Sequence, residues 1–135
     1  MPSFRFAIAS AATGIVGAAA AGLCFLVSAP ATAQPAQVLV QVWSFGFAPK
    51  PIRLAAGRKV TITLVNQSGS SHDFTARDFF SSSSITSGAA PDGEIDLSPH
   101  ETKSITLVPR AGTYHAHCSH FFHSQMGMTD DIIVS

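Results

Sequence analysis

The chain has 135 residues, eight Lys plus Arg against eight Asp plus Glu, and 46% hydrophobic residues including 10 Phe, which bounds it to one domain with an ordinary core. The balanced charge argues against nucleic acid, whose recognition calls for a basic patch. No run of like charge marks a disordered interaction tail.

Residues 1–33 read as a secretory signal peptide. Arg5 is followed by an uncharged stretch from Phe6 to Val27, and Ala31-Thr32-Ala33 supplies an A-x-A cleavage site just before Gln34. The apolar run approaches the roughly 20 residues that span a bilayer, so a membrane location is expected only if this leader stays uncleaved. Its richness in Ala, Gly, Ser and Thr makes it weakly hydrophobic and favours cleavage, and export to the periplasm or the medium follows. Residues 34–135 then form the functional domain, near the usual size of one compact unit. Of the two cysteines, Cys24 leaves with the leader, so Cys118 has no partner for an internal disulfide. A lone thiol in an oxidising compartment is a liability unless something such as a metal occupies it.

After a short lead-in, Val38–Trp43 and Lys59–Asn66 are rich in β-branched residues and alternate along part of their length, which predicts strands. Pro49 and Pro51 predict a bend or an edge before Ile52-Arg53-Leu54, and Ala55-Ala56-Gly57 a turn. Gln67–Ser71 is a loop that delivers His72. Between Phe79 and Gly93 the sequence lacks sustained periodicity and reads as an irregular connection, with one helical turn at 76–80. Strands resume at Glu94–Leu97 and Thr102–Leu107, separated by a turn at 98–101 that leaves His100 solvated. Pro109 to Gly112 turns the chain into a further strand, and Ile132-Ile133-Val134 closes the domain. Short strands with turn signals at this spacing predict an all-β sandwich.

The chemistry concentrates between Tyr114 and Met128, where one thiol (Cys118), four imidazoles (His115, His117, His120, His123) and two thioethers (Met126, Met128) fall within fifteen residues. Soft, redox-active metals select such side chains, and copper is the obvious candidate. Side chains alternate along a strand, so Tyr114, Ala116 and Cys118 share one face while His115 and His117 share the other. That outward pair also has the makings of a weak surface site for a borderline metal.

The spacing Cys118-x4-His123-x4-Met128, with His72 in Ser70-Ser71-His72-Asp73-Phe74, resembles the cupredoxins, the blue-copper family in which one His lies mid-chain and a Cys, a His and a Met lie on a late loop. Phe47–Leu54, Gly57–Thr61 and Ala111–Tyr114 look like that family's strand and turn segments, so the resemblance covers roughly residues 38–134. It implies a Greek-key β-sandwich, preceded here by the signal peptide, and one copper ion held by His72, Cys118, His123 and Met128. His120 competes with His123, and Met126 with Met128. Two positions depart from the pattern: Asp73 stands where many cupredoxins have Asn, and Asp130 where a Gly often follows the Met. The first bears on the hydrogen bonds that orient the ligands and tune the metal.

The implied function is one-electron transfer by an exported, monomeric protein that is not an enzyme. A redox partner would dock transiently near His123, where Phe121, Phe122 and Met126 suggest an apolar patch. The alternative is a periplasmic copper carrier or resistance protein that binds copper and hands it over.

Overall fold

The computed structural model describes residues 34–120 and 127–135. The expected leader, and the loop residues His123 and Met126 with both phenylalanines beside them, lie outside the described residues. Among the described residues no helix is long and apolar enough to cross a membrane.

Among the described residues ten strands form two five-stranded sheets. The strands are β1 (Ala36–Trp43), β2 (Gly46–Ala48), β3 (Ile52–Leu54), β4 (Val60–Asn66), β5 (His72–Thr75), β6 (Ser84–Ser87), β7 (Glu94–Leu97), β8 (Thr102–Val108), β9 (Gly112–His117) and β10 (Thr129–Val134). The first sheet has the order β2-β1-β4-β8-β6 and the second β3-β10-β9-β5-β7. Pairing is antiparallel except for β1 with β4 and β3 with β10. The chain crosses repeatedly between the sheets, as the expected cupredoxin-like Greek-key sandwich requires.

Strand β4 shows why these segments fold as they do. Its residues alternate strictly, with Val60, Ile62, Leu64 and Asn66 buried and Thr61, Thr63 and Val65 half-exposed, the period-2 pattern of a sheet with one covered face. On its outer face Thr61 and Thr63 meet Thr106 and Ser104 of β8 through hydroxyl hydrogen bonds of 2.9 and 3.0 Å. Such cross-strand pairs contribute a few tenths of a kcal/mol up to about 1 kcal/mol each.

The core draws Val40, Val42, Ile105 and Leu107 from the first sheet and Ile52, Ile95, Leu97 and Ile132 from the second. A chain of edge-on aromatic contacts runs through it, Phe47 to Phe74 at 5.3 Å, Phe74 to Phe80 at 6.2 Å and Phe79 to Tyr114 at 5.5 Å between ring centroids. Each such pair adds about 0.5–1.5 kcal/mol beyond its buried area. Phe79 and Phe80 come from the helix α1 (Arg77–Ser82), a little longer than the single turn expected at 76–80.

The stretch expected to be irregular holds more than that helix. Ser84–Ser87 forms the edge strand β6 against β8, with a register shift between Ile85 and Ser87. All four of its residues are exposed, so the hydrophobic alternation that reveals a strand is absent, and only backbone pairing with β8 makes it one. The three-residue β2 overlaps the start of the Phe47–Leu54 segment and is too short to show an alternation of its own. His100 lies in an exposed turn at a φ of 60°, as its context predicts.

Candidate metal centre

Three structural devices bring the site together at one end of the sandwich. The first is Asn66, buried at the end of β4. Its side-chain amide donates to the carbonyls of Ser70 at 2.7 Å and Ser98 at 2.9 Å, while its Oδ1 accepts the Ser68 N–H at 3.0 Å. One side chain thereby pins the loop 67–71 and sets where β5 begins. His72 is the first residue of β5 and is buried, as are Asp73, Phe74 and Thr75. The sequence places His72 at the end of a loop; the structure makes it the start of a strand.

The second device is the alternation of β9. Ala116 and Cys118 are fully buried and Tyr114 is partly buried, packed against the core. His115 and His117 lie on the opposite face, as the period of a strand demands. Tyr114 donates its hydroxyl to the Arg110 carbonyl at 2.9 Å, which anchors the turn into the strand.

The third is the neck of the late loop. The Cys118 N–H donates to the Met128 carbonyl at 3.1 Å, so the loop leaves and re-enters the sheet at directly facing residues. Met128 is fully buried.

Cys118 Sγ lies 4.0 Å from His72 Nδ1. A single ion bonded to a sulfur and an imidazole nitrogen spans at most about 4.4 Å between them, by the bond lengths of such ligands around zinc, so the pair can share one ion. His120 joins them: one ligand atom from each of His72, Cys118 and His120 lies within 4.8 Å of the others. His120 was the competitor to His123 in the sequence. His123 lies outside the described residues, and the structure therefore places His72, Cys118, His120 and Met128 but does not choose between the two imidazoles.

Around the thiol runs a network that spacing alone does not reveal. Asp73 is fully buried and accepts from the Ser119 backbone N–H at 2.8 and 2.9 Å, from the Ser119 hydroxyl at 2.9 Å and from Thr75 Oγ1 at 2.7 Å. The Cys118 thiol donates to its Oδ2 at 3.4 Å, and His120 Nδ1 is 4.0 Å away. Burial pushes the Asp73 carboxyl up, but the hydrogen bonds from Thr75, Ser119 and Cys118 outweigh it and hold its pKa below the usual carboxylate value. Burial, with the Asp73 charge, raises the Cys118 pKa, against the backbone N–H groups of Asp73 and His120 that donate to the sulfur. The unmetallated site therefore keeps a protonated thiol beside an ionised carboxylate. A cation that replaces the thiol proton meets a thiolate, imidazole nitrogen and a buried negative charge. The donor set fits copper.

The available signals for this network were Asp73 beside His72 and Ser119 beside Cys118. Thr75 carried none, because its role depends on β5 presenting it on the same face as Asp73.

The sandwich is similar to two solved structures. Reduced auracyanin from the photosynthetic bacterium Roseiflexus castenholzii is 17% identical, with a TM-score of 0.56 over 76% of this chain and 99% of that one. Auracyanin B is 23% identical, with a TM-score of 0.54 over 76% of this chain and 91% of that one. At these identities the likeness shows the fold. No curated protein matches the sequence. A family model described as a cupredoxin-like domain matches residues 16–134. With that match over most of its length, and with thiol and imidazole donors gathered at one end of the sandwich, the chain belongs to the cupredoxin-like family, and its cofactor is a copper ion.

Proposed function

We propose that the chain is an exported carrier of single electrons, working through one copper ion held by His72, Cys118, His123 and Met128. The observation that carries this reading is the buried Cys118 thiol 4.0 Å from His72 Nδ1, with backbone N–H groups of Asp73 and His120 aimed at the sulfur. When bound, copper supplies a Cu(II)/Cu(I) couple. The chain's part is to keep the ligands in place in both states: Asn66 holds the His72 loop, and Asp73 ties β5 to the residue after Cys118. A rigid donor set lowers the rearrangement that accompanies each electron. Four protein ligands also leave no open position of the kind that catalytic metals keep, which favours a carrier over an enzyme.

Docking of a redox partner is proposed at the same end. Strand β1 runs parallel to β4, so the turn after Trp43 and the loop after Asn66 share one end of the sandwich. Trp43 is 39% and Phe45 57% exposed there, and in the sequence Phe121, Phe122 and Met126 flank His123 with further apolar side chains. Exposed apolar patches mark interaction sites, and redox encounters need only a small, transient interface. The protein acts as a monomer, and export rests on the leader at residues 1–33.

The presence of a further imidazole, His120, in the donor cluster keeps copper carriage as the second reading. The two functions differ in kinetics. Electron self-exchange of copper-loaded protein much faster than loss of copper to a chelator supports electron transfer; the opposite order supports carriage.

A further inference from the structure

Outside the copper site, two imidazoles and a carboxylate lie together on the outer face of the β9–β10 pair. His115 and His117 project from that face with their rings stacked, 5.9 Å between centroids and 18° between planes. Directly across from His115 in the ladder is Asp131, whose Oδ1 lies 3.5 Å from His115 Nδ1. The side chains of His115 and Asp131 are 62% and 61% exposed, so nothing in the fold encloses them. A shallow groove of about 350 Å³ runs beside them, lined by Lys50, Pro51, His115, Thr129, Asp131 and Ile133 among others.

We propose that His115, His117 and Asp131 form a second, surface site for a borderline divalent cation such as zinc(II) or copper(II). Two imidazole nitrogens and one carboxylate oxygen are the donors such ions take. Their spacing is set by the backbone: His115 and His117 are separated by one residue on a strand, and β9 and β10 are paired from Thr129 opposite His117 to Val134 opposite Gly112. The face and the cross-strand partner are therefore fixed, and only exposed side-chain torsions, which turn on the picosecond to nanosecond scale, have to adjust to bring the ring nitrogens to one ion. Three protein ligands leave room for water or an exogenous ligand, so the site is open and exchanges freely. It differs in kind from the buried site of Cys118, whose softer thiolate selects copper. A nearby cation, Lys50, donates its ammonium to the Thr129 carbonyl at 2.7 Å, which ties it to the groove and limits the affinity of the site. The proposal stands whether the primary site carries electrons or copper.

Zinc(II) is the probe of choice, because it is redox-silent and binds such donors more weakly than copper(II) does. Full chain already loaded with one copper is titrated with zinc(II) by calorimetry while the thiolate-to-copper absorption is followed. One further equivalent should bind with the absorption unchanged, His115→Gln and His117→Gln should each weaken it at least about tenfold, and Asp131→Asn should weaken it less. His100→Gln should change nothing. Because His117 adjoins Cys118, a His117→Gln chain that no longer holds copper leaves the decision to His115→Gln and Asp131→Asn, both on exposed positions. No second equivalent, zinc binding that survives His115→Gln undiminished, or zinc that bleaches the absorption as it binds would overturn the proposal.

Discussion

The carboxylate of Asp73 accepts the thiol proton of Cys118 at 3.4 Å while it holds the backbone N–H of Ser119 at 2.8 Å, so one buried charge both positions the ligand sulfur and acts on it. A negative charge next to a copper–thiolate centre stabilises the more positive, oxidised state. Asp73→Asn keeps the shape and several of the hydrogen bonds but removes the charge. It should raise the reduction potential by on the order of tens of millivolts, a fraction of the roughly 59 mV that one tenfold change in a one-electron equilibrium represents. Voltammetry of both proteins measures it, and an unchanged or lowered potential would mean that the carboxylate is protonated or screened in the loaded protein.

Copper uptake should weaken as the pH falls. Burial raises the Cys118 pKa, so at neutral pH the empty site carries a thiol that must lose its proton when the metal binds. Below the thiol pKa each unit of pH should lower the apparent affinity about tenfold from this proton alone, with a steeper fall once the imidazoles also protonate. Competition against a chelator of known affinity between pH 5 and 8, at constant ionic strength, reads the slope. A flat profile would remove the thiolate from the ligand set.

The two candidate imidazoles separate by substitution. His123→Ala should abolish the trigonal site if, as the proposed ligand set has it, His123 is the second imidazole. His120→Ala should leave the spectrum close to that of the parent even though His120 lies within the donor cluster. The reverse result would make His120 the ligand. In the same way Met128→Leu should change the spectrum and raise the potential, and Met126→Leu should do less.

Asp130, two residues after Met128, offers a test read out in folding stability of the copper-free protein. It is buried on the core face of β10, its Oδ2 has no hydrogen-bond partner among the described residues, and burial raises its pKa. A carboxyl whose folded pKa exceeds its unfolded value costs stability above the folded pKa, and the cost vanishes below the unfolded one. Asp130→Asn removes the charge from this position and should therefore stabilise the copper-free protein at neutral pH. The gain should fade in acid. Denaturant unfolding at pH 7 and pH 4 checks it; a loss of stability at pH 7 would show that the charge has a partner.

Docking is tested at Phe45, which is exposed, and at Phe122, next to His123 in the sequence. Phe122→Asp and Phe45→Asp should slow electron transfer to a redox partner and leave the copper spectrum nearly unchanged. Balanced net charge gives little long-range steering, so the parent rate should depend weakly on ionic strength. Loss of copper or of folding in the Phe122 variant would identify that ring as a core residue.

How much of this was legible in the sequence followed from where each signal resides. Strands such as β4, with one face in the core, write their alternation into the chain, and Cys118, five residues before a His and ten before a Met, announces a metal. Strand β6 writes nothing, because all its residues face solvent and its existence depends on a partner twenty residues away. The site divided in the same way. Cys118 could be named from its neighbours in the late loop and His72 from the family resemblance, and the structure sets them 4.0 Å apart. The Asp73 network of Ser119 and Thr75 could not, since it exists only once β5 and the end of β9 are side by side. His120 entered the cluster through the path of the chain after Cys118, which residue spacing does not encode.

The most direct test of the central claim is the combined optical and electron paramagnetic resonance spectrum of the copper-loaded chain beside its Cys118→Ser variant. The account predicts one copper per chain, an intense visible thiolate-to-copper band with the narrow parallel hyperfine splitting of a copper–thiolate centre, and loss of both in the variant. A parent spectrum without that band, or a band that persists in Cys118→Ser, would contradict it.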